Sequence, residues 1–192
     1  DFDGTLTIQD SYTRFLRWRA GPTAYGAGLI RLVPDLIGYA IAPDRGRLKA
    51  AATKVFLGGT EVEAISADAE RFADAAWDRF MRPDALACWE DWGRKGAERV
   101  IVTASPSLTV RPFAERLGAD RLLGTELATD AAGRLTGDFT TANCRAGEKV
   151  VRLKEVFGPD VRLAAAYGDT SGDTEMLAIA DHRGWREFTQ RP

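Results

Sequence analysis

The chain has 192 residues, 45% hydrophobic and 28% charged, with a formal net charge of −2. That profile fits one folded domain of ordinary size, or a core carrying a smaller inserted unit, and excludes disorder. It offers no overall basic field to hold nucleic acid, and its one histidine, His182, excludes a histidine-rich metal cluster.

The two cysteines, Cys88 and Cys144, lie far apart in sequence with no CxxC neighbour. They read as reduced thiols in a cytoplasmic protein. No signal peptide is recognisable at the start. The first residue already belongs to the strongest motif of the chain. Motifs of that kind end buried apolar strands, so such a strand is expected ahead of Asp1.

Residues 11–92 read as helical, with few β-branched runs. Within them, residues 25–42 are long and apolar but interrupted by Arg31, Pro34 and Asp35. A membrane span needs about 20 mainly apolar residues and tolerates central charge badly. The stretch is therefore expected to form two core-facing helices joined near Pro34. A surface lying on a membrane is the second reading and is not favoured.

From about Arg99 the pattern changes to short apolar runs alternating with amphipathic stretches, as in a parallel α/β sheet. Residues 99–104 suit a buried parallel strand. Residues 108–117 read as a helix closed by Gly118. Residues 122–127 read as a strand, and residues 130–141 suggest a hairpin. A helix is expected over 148–157, a strand over 162–167 and a short helix over 173–180.

Chemistry gathers at the ends of these strands. Asp1 and Asp3 would point to opposite faces of a regular strand. They converge only if the backbone bends, which Gly4 permits. Two such carboxylates repel unless a cation or a shared proton intervenes, and a hard divalent ion answers that need. Asp169 and Asp173, in Gly-Asp-Thr-Ser-Gly-Asp, form a second acidic pair between an apolar strand and a helix. Ligands collect outside the carboxyl ends of strands in open α/β sheets, so the four acids are expected at one site. Ser105 precedes a helix and suits a phosphoryl oxygen. Lys149, near a later helix start, suits a phosphate and a neighbouring carboxylate. Taken singly, each has an ordinary reading: a capping serine, a solvated lysine, a capped turn. Their order along one βαβ series carries the argument.

That ordered set resembles the haloacid dehalogenase superfamily, in the subfamily that includes phosphoserine phosphatases. The resemblance spans essentially the whole chain. DFDGTLT, VTASPS, NCRAGEKV and YGDTSGDTEML are similar to its four motifs. It implies a Rossmann-like doubly wound parallel sheet over residues 1–10 and 93–192, with a helical cap inserted over 11–92. It implies a phosphatase with Asp1 as nucleophile, Asp3 as general acid and base, and Lys149 beside them. Ser105 and Gly4 would contact phosphate, with Thr103 an alternative to Ser105 and Arg145 a helper to Lys149. Mg2+ would be held by Asp1, the Asp3 carbonyl and Asp169, with Asp173 in support. The second aspartate, Asp3, distinguishes the chain from dehalogenating relatives. Phosphoryl transfer to an organic acceptor is a minor option.

The implied substrate is a small phosphate ester. Asp10 stands where phosphoserine phosphatases place a substrate-binding acid, but Ala52 stands where their cap arginine belongs, with Lys49 and Lys54 nearby. A lysine lacks the planar fork of arginine. Ser-Pro-Ser also replaces their Ser-Gly-Gly. The NCRxxEKV segment and the apolar cap stretch look closer to a branch that includes phosphatidylglycerophosphate phosphatases. Two alternatives therefore stand beside the first reading: a lipid-phosphate phosphatase, and a catalytically quiet binding protein on the same scaffold.

Overall fold

The computed structural model describes residues 1–192. Its first seven residues form a tight turn. The amides of Thr5, Leu6 and Thr7 all donate to the carbonyl of Phe2. Gly4 takes φ 78°, a left-handed conformation that costs glycine little because it has no Cβ.

Five helices follow: α1 (Ser11–Arg31), α2 (Val33–Ile41), α3 (Arg45–Leu57), α4 (Val62–Phe80) and α5 (Pro83–Arg94). Asp10 caps α1 by accepting the Thr13 amide at 2.7 Å, and Asp44 caps α3 through the Arg47 amide at 3.0 Å. Non-helical Gly21, ahead of Pro22, kinks α1. The chain enters and leaves the first four of these helices side by side. The Ile8 amide donates to the Phe80 carbonyl, the Arg82 amide donates to that of Leu6, and Thr7 pairs with Met81.

The remainder runs β1 (Val100–Pro106), α6 (Ser107–Arg116), β2 (Arg121–Thr125), β3 (Leu127–Thr129), β4 (Leu135–Phe139), α7 (Gly147–Phe157) and β5 (Leu163–Gly168). A single 3-10 turn (Ser171–Asp173), α8 (Thr174–Ala178) and β6 (Ala180–Trp185) complete it. β1 pairs parallel with β2, and β5 with β6, while β3 and β4 form an antiparallel hairpin. Parallel strands linked by helices give the Rossmann-like α/β class expected from the sequence.

The two parallel pairs form separate ladders. A mainly apolar slot of about 400 Å³ is lined by Val100 and Val102 of one pair, Ala164 and Ala166 of the other, and Asp1. The Asp1 nitrogen donates to the Tyr167 carbonyl at 2.8 Å, so Asp1 is hydrogen-bonded to the end of β5.

The larger core joins insertion and sheet. Phe113 of α6 meets Phe2, at 5.4 Å between ring centroids, and Phe72 of α4, at 6.0 Å, both edge-on. A smaller cluster packs Val102, Cys144, Leu153, Ala166 and Met176 together. The two cysteines are unpaired, Cys88 lying beside the Tyr167 hydroxyl.

Three expectations need correction. Residues 25–42 do not make two core-facing helices: α2 buries no residue. The joint falls at Leu32, and Pro34 occupies the first turn of α2, where its missing N–H costs nothing. The helix expected over 173–180 shortens to the 3-10 turn plus α8, and β6 follows it. The hairpin begins earlier than residue 130, with Leu127–Thr129 as its first strand. No helix is long and apolar enough to cross a membrane.

Candidate active site

Four backbone segments converge: the turn after Asp1, the end of β1, the start of α7 and the loop after β5. Lys149 lies at the centre. It is 2% exposed, and its ammonium donates to Asp1 Oδ1 at 2.7 Å, Asp173 Oδ1 at 2.6 Å and the Val102 carbonyl at 2.8 Å. Those three acceptors use all three of its protons. Just before α7, Ala146 takes φ 55°, unusual for a residue with a Cβ, and its amide is tied to the Gly172 carbonyl at 2.8 Å. That tie links the start of the Lys149 helix to the loop bearing Asp169 and Asp173.

Asp3 faces the other way. Its Oδ1 accepts the Ser11 amide and its Oδ2 accepts the Ser105 hydroxyl, each at 2.6 Å. The Thr103 hydroxyl stands 3.4 Å from the same Oδ2. Burial first, and then the Asp10 charge, push the Asp3 carboxyl above the ordinary value, against the pull of its bonds from Ser105 and Ser11. Ser105 is fully buried, and its hydroxyl is spent on Asp3.

Asp1, Asp169 and Asp173 each bring a carboxylate oxygen within 4.8 Å of the others. Asp169 Oδ1 is buried and has no hydrogen-bond partner. Burial and then the Asp173 charge raise the Asp169 carboxyl. A buried acceptor left unpaired is costly, and a hard cation would satisfy it. Gly4 forms the neighbouring wall: a Cβ there would come within 2.2 Å of Asp169 Oδ2. Among Asp1, Asp169 and Asp173, the donor set fits a divalent oxygen-seeking ion.

The sequence model of the haloacid dehalogenase-like hydrolases matches residues 1–178. The chain belongs to this family. Protein CicA of Caulobacter vibrioides is 58% identical over 192 residues, covering all of this chain and 86% of that protein. A protein of unknown function from Bordetella pertussis Tohama I superposes with TM-score 0.77 at 22% identity, over 93% of this chain and 83% of that one. A substrate-bound phosphoserine phosphatase superposes with TM-score 0.61 at 19% identity, over 94% and 80%. At those identities the two structures establish the hydrolase's fold.

The site of this hydrolase opens into a polar cavity of about 360 Å³. Its walls hold five carboxylates, from Asp1, Asp3, Asp10, Asp169 and Asp173, against the four cations of Arg45, Lys49, Arg145 and Lys149. With every group ionised, one negative charge is in excess, which a phosphate would worsen and a divalent cation would reverse. Asp10 lines this cavity while one of its oxygens caps α1. Arg145 also lines it, within 3.3 Å of the Ser171 hydroxyl. Lys54 and Ala52 are not in its walls. Lys49 is, one helical turn before Ala52 on the same face of α3, and it donates to the Ala104 carbonyl at 2.6 Å. Burial holds its ammonium below the ordinary lysine range, opposed by Asp3 and Asp10. The sequence reading missed Arg45 and Asn143, which also line the cavity. The only sequence signal for Arg45 was its place four residues before Lys49.

Proposed function

We propose that this hydrolase cleaves phosphate monoesters of small metabolites by attack of the Asp1 carboxylate on phosphorus. The observation that carries this reading is the Lys149 ammonium seated between Asp1 and Asp173 beside the polar cavity. Lys149 holds Asp1 Oδ1, while Oδ2 bears only a 3.4 Å contact from the Thr5 hydroxyl and is the freer oxygen to attack. The new O–P bond forms as the bond to the leaving alcohol breaks. Asp3, with its carboxyl pushed upward, gives its proton to that alcohol. Asp3 then takes a proton from water, which attacks phosphorus and frees Asp1.

Lys149 would carry a phosphate oxygen by giving up one of its three present acceptors, and Ser105 would join it by turning its hydroxyl away from Asp3. Asp1, Asp169 and the Asp3 carbonyl would hold Mg2+, with Asp173 in support. Bound there, the ion would neutralise charge between carboxylate and phosphate. Asp10, Arg45, Lys49 and Arg145 would meet the leaving group.

The insertion of α1 to α4 would act as a cap, since Arg45 and Lys49 of α3 reach the cavity. The paired entry and exit at residues 6–8 and 80–82 support ending that cap near Met81, ahead of α5, and not at residue 92.

The test is turnover of an aryl phosphate with Mg2+. Asp1→Asn is expected to fall to background, and added chelator is expected to silence the unaltered protein. Turnover by Asp1→Asn at the unaltered rate would rule out the scheme.

A further inference from the structure

α2 carries an apolar stripe turned away from the protein. Val33, Leu36, Ile37 and Ile41 fall at the i, i+3, i+4, i+8 spacing of one helix face, and Ile30 of α1 precedes them by three residues. A stripe of this kind normally meets the core. Here Ile30 is 73% exposed, Ile37 57% and Ile41 80%, while Leu32 beside them is buried.

The surroundings identify what covers it. Residues 29–47 hold Arg31, Arg45 and Arg47 against Asp35 and Asp44, an excess of one positive charge in a chain whose total is −2. Apolar side chains edged by cations on an otherwise acidic protein match an anionic bilayer. A second copy of the chain fits poorly. A nine-residue helix offers a face about 13 Å long and about 10 Å wide, far below the roughly 800 Å² per partner of a stable interface. Nor does the helix cross the bilayer.

We propose that the exposed face of α2, with Ile30, docks on the surface of an anionic membrane. Ile41 lies four residues ahead of Arg45, so the docked face sits within about 14 Å of a cavity-lining residue. Docking does not depend on the phosphatase reading. Resting on that reading, it narrows the substrate to phosphate monoesters held at a bilayer surface.

Sedimentation with vesicles tests the docking. The full chain is expected to bind phosphatidylcholine vesicles containing about one-third phosphatidylglycerol, and to bind pure phosphatidylcholine vesicles at least about tenfold more weakly. The double variant Ile37→Glu, Ile41→Glu should lower partitioning by about a hundredfold, since each lost isoleucine anchor is worth about tenfold. Arg31→Glu with Arg47→Glu should weaken binding to the anionic vesicles alone. Circular dichroism should show each variant folded, as these side chains are exposed, and Asp1→Asn should bind vesicles like the unaltered protein. Equal binding to both vesicle types, no binding to either, or unchanged binding by the isoleucine variant overturns the proposal. So does light scattering that finds a dimer dissolved by the same substitutions. The narrower substrate class requires the isoleucine variant to lose turnover of a vesicle-borne monoester while keeping that of a soluble aryl phosphate. Equal loss on both overturns it.

Discussion

Replacing Lys149 with methionine removes one charge and leaves most of the side-chain volume. Lys149 and Asp173 are each 2% exposed and Asp1 is 9% exposed, so water cannot take over the lost bonds. Two buried carboxylates and the Val102 carbonyl lose their donor. Removing one partner of a buried ion pair costs about 3–5 kcal/mol. For a chain of this size, that lowers Tm by roughly 6–20 °C.

The deficit has a pH signature. Burial alone would raise the Asp173 carboxyl, but the Lys149 charge and hydrogen bond hold it below the ordinary value. A depressed acid contributes stability that is full above its unfolded pKa and lost as pH falls through its folded one. In Lys149→Met that contribution disappears and burial raises Asp173 instead. The gap between variant and parent is therefore widest near neutrality and narrows as pH falls toward about 4, where the unfolded carboxyl titrates. Urea unfolding at a series of pH values measures it. Adding Asp173→Asn to the variant should recover part of the loss. A deficit under about 1 kcal/mol at neutral pH, or one that widens on acidification, would refute the reasoning.

Three further outcomes follow from the same geometry. Gly4→Ala brings a Cβ into Asp169 at a positive φ, and is expected to cost about 1–3 kcal/mol in thermal unfolding and to reduce Mg2+-dependent turnover further than the stability loss explains. Asp3→Asn should slow alkyl phosphates by about 10²–10⁴-fold and an aryl phosphate with a good leaving group far less. In the parent, kcat/KM on alkyl phosphates should fall as pH rises through the elevated Asp3 value, and this limb should vanish in Asp3→Asn. Asp169→Asn removes a carboxyl whose raised pKa makes its ionisation destabilising as pH rises, so the metal-free variant should melt no lower than the parent. Adding Mg2+ should raise the Tm of the parent and leave that of Asp169→Asn unchanged, because only a bound ion shifts the folding equilibrium.

Much of the fold was legible because burial leaves a compositional trace. After a leading arginine, residues 99–104 and 162–167 are mainly apolar on both faces, and they became β1, which is largely buried, and β5, which is partly so. β6 left no such trace. It lies at a sheet edge with Asp181, His182 and Arg183 exposed, and its pairing comes from backbone bonds that any sequence can supply. α2 misled for the opposite reason. Its apolar spacing is that of a core helix, and spacing fixes which residues share a face but not where that face points.

The site divides along the same line. Asp1, Asp3, Ser105, Lys149, Asp169 and Asp173 were readable because strand ends in an α/β sheet open on one edge, so chain order alone brings them together. Lys49 and Arg45 were not, since no strand end announces them. Lys49 reaches the cavity from one turn earlier than Ala52, a displacement that helix geometry allows. What the sequence could not show was which charges are satisfied. Of the four acids, Asp1 and Asp173 meet Lys149, and Asp3 meets Ser105 and Ser11. Asp169 alone keeps a buried oxygen without a partner. A folded chain tolerates such an oxygen where something outside the chain completes it, and that unmet demand, more than the number of acidic residues, argues for a cation at this edge of the sheet.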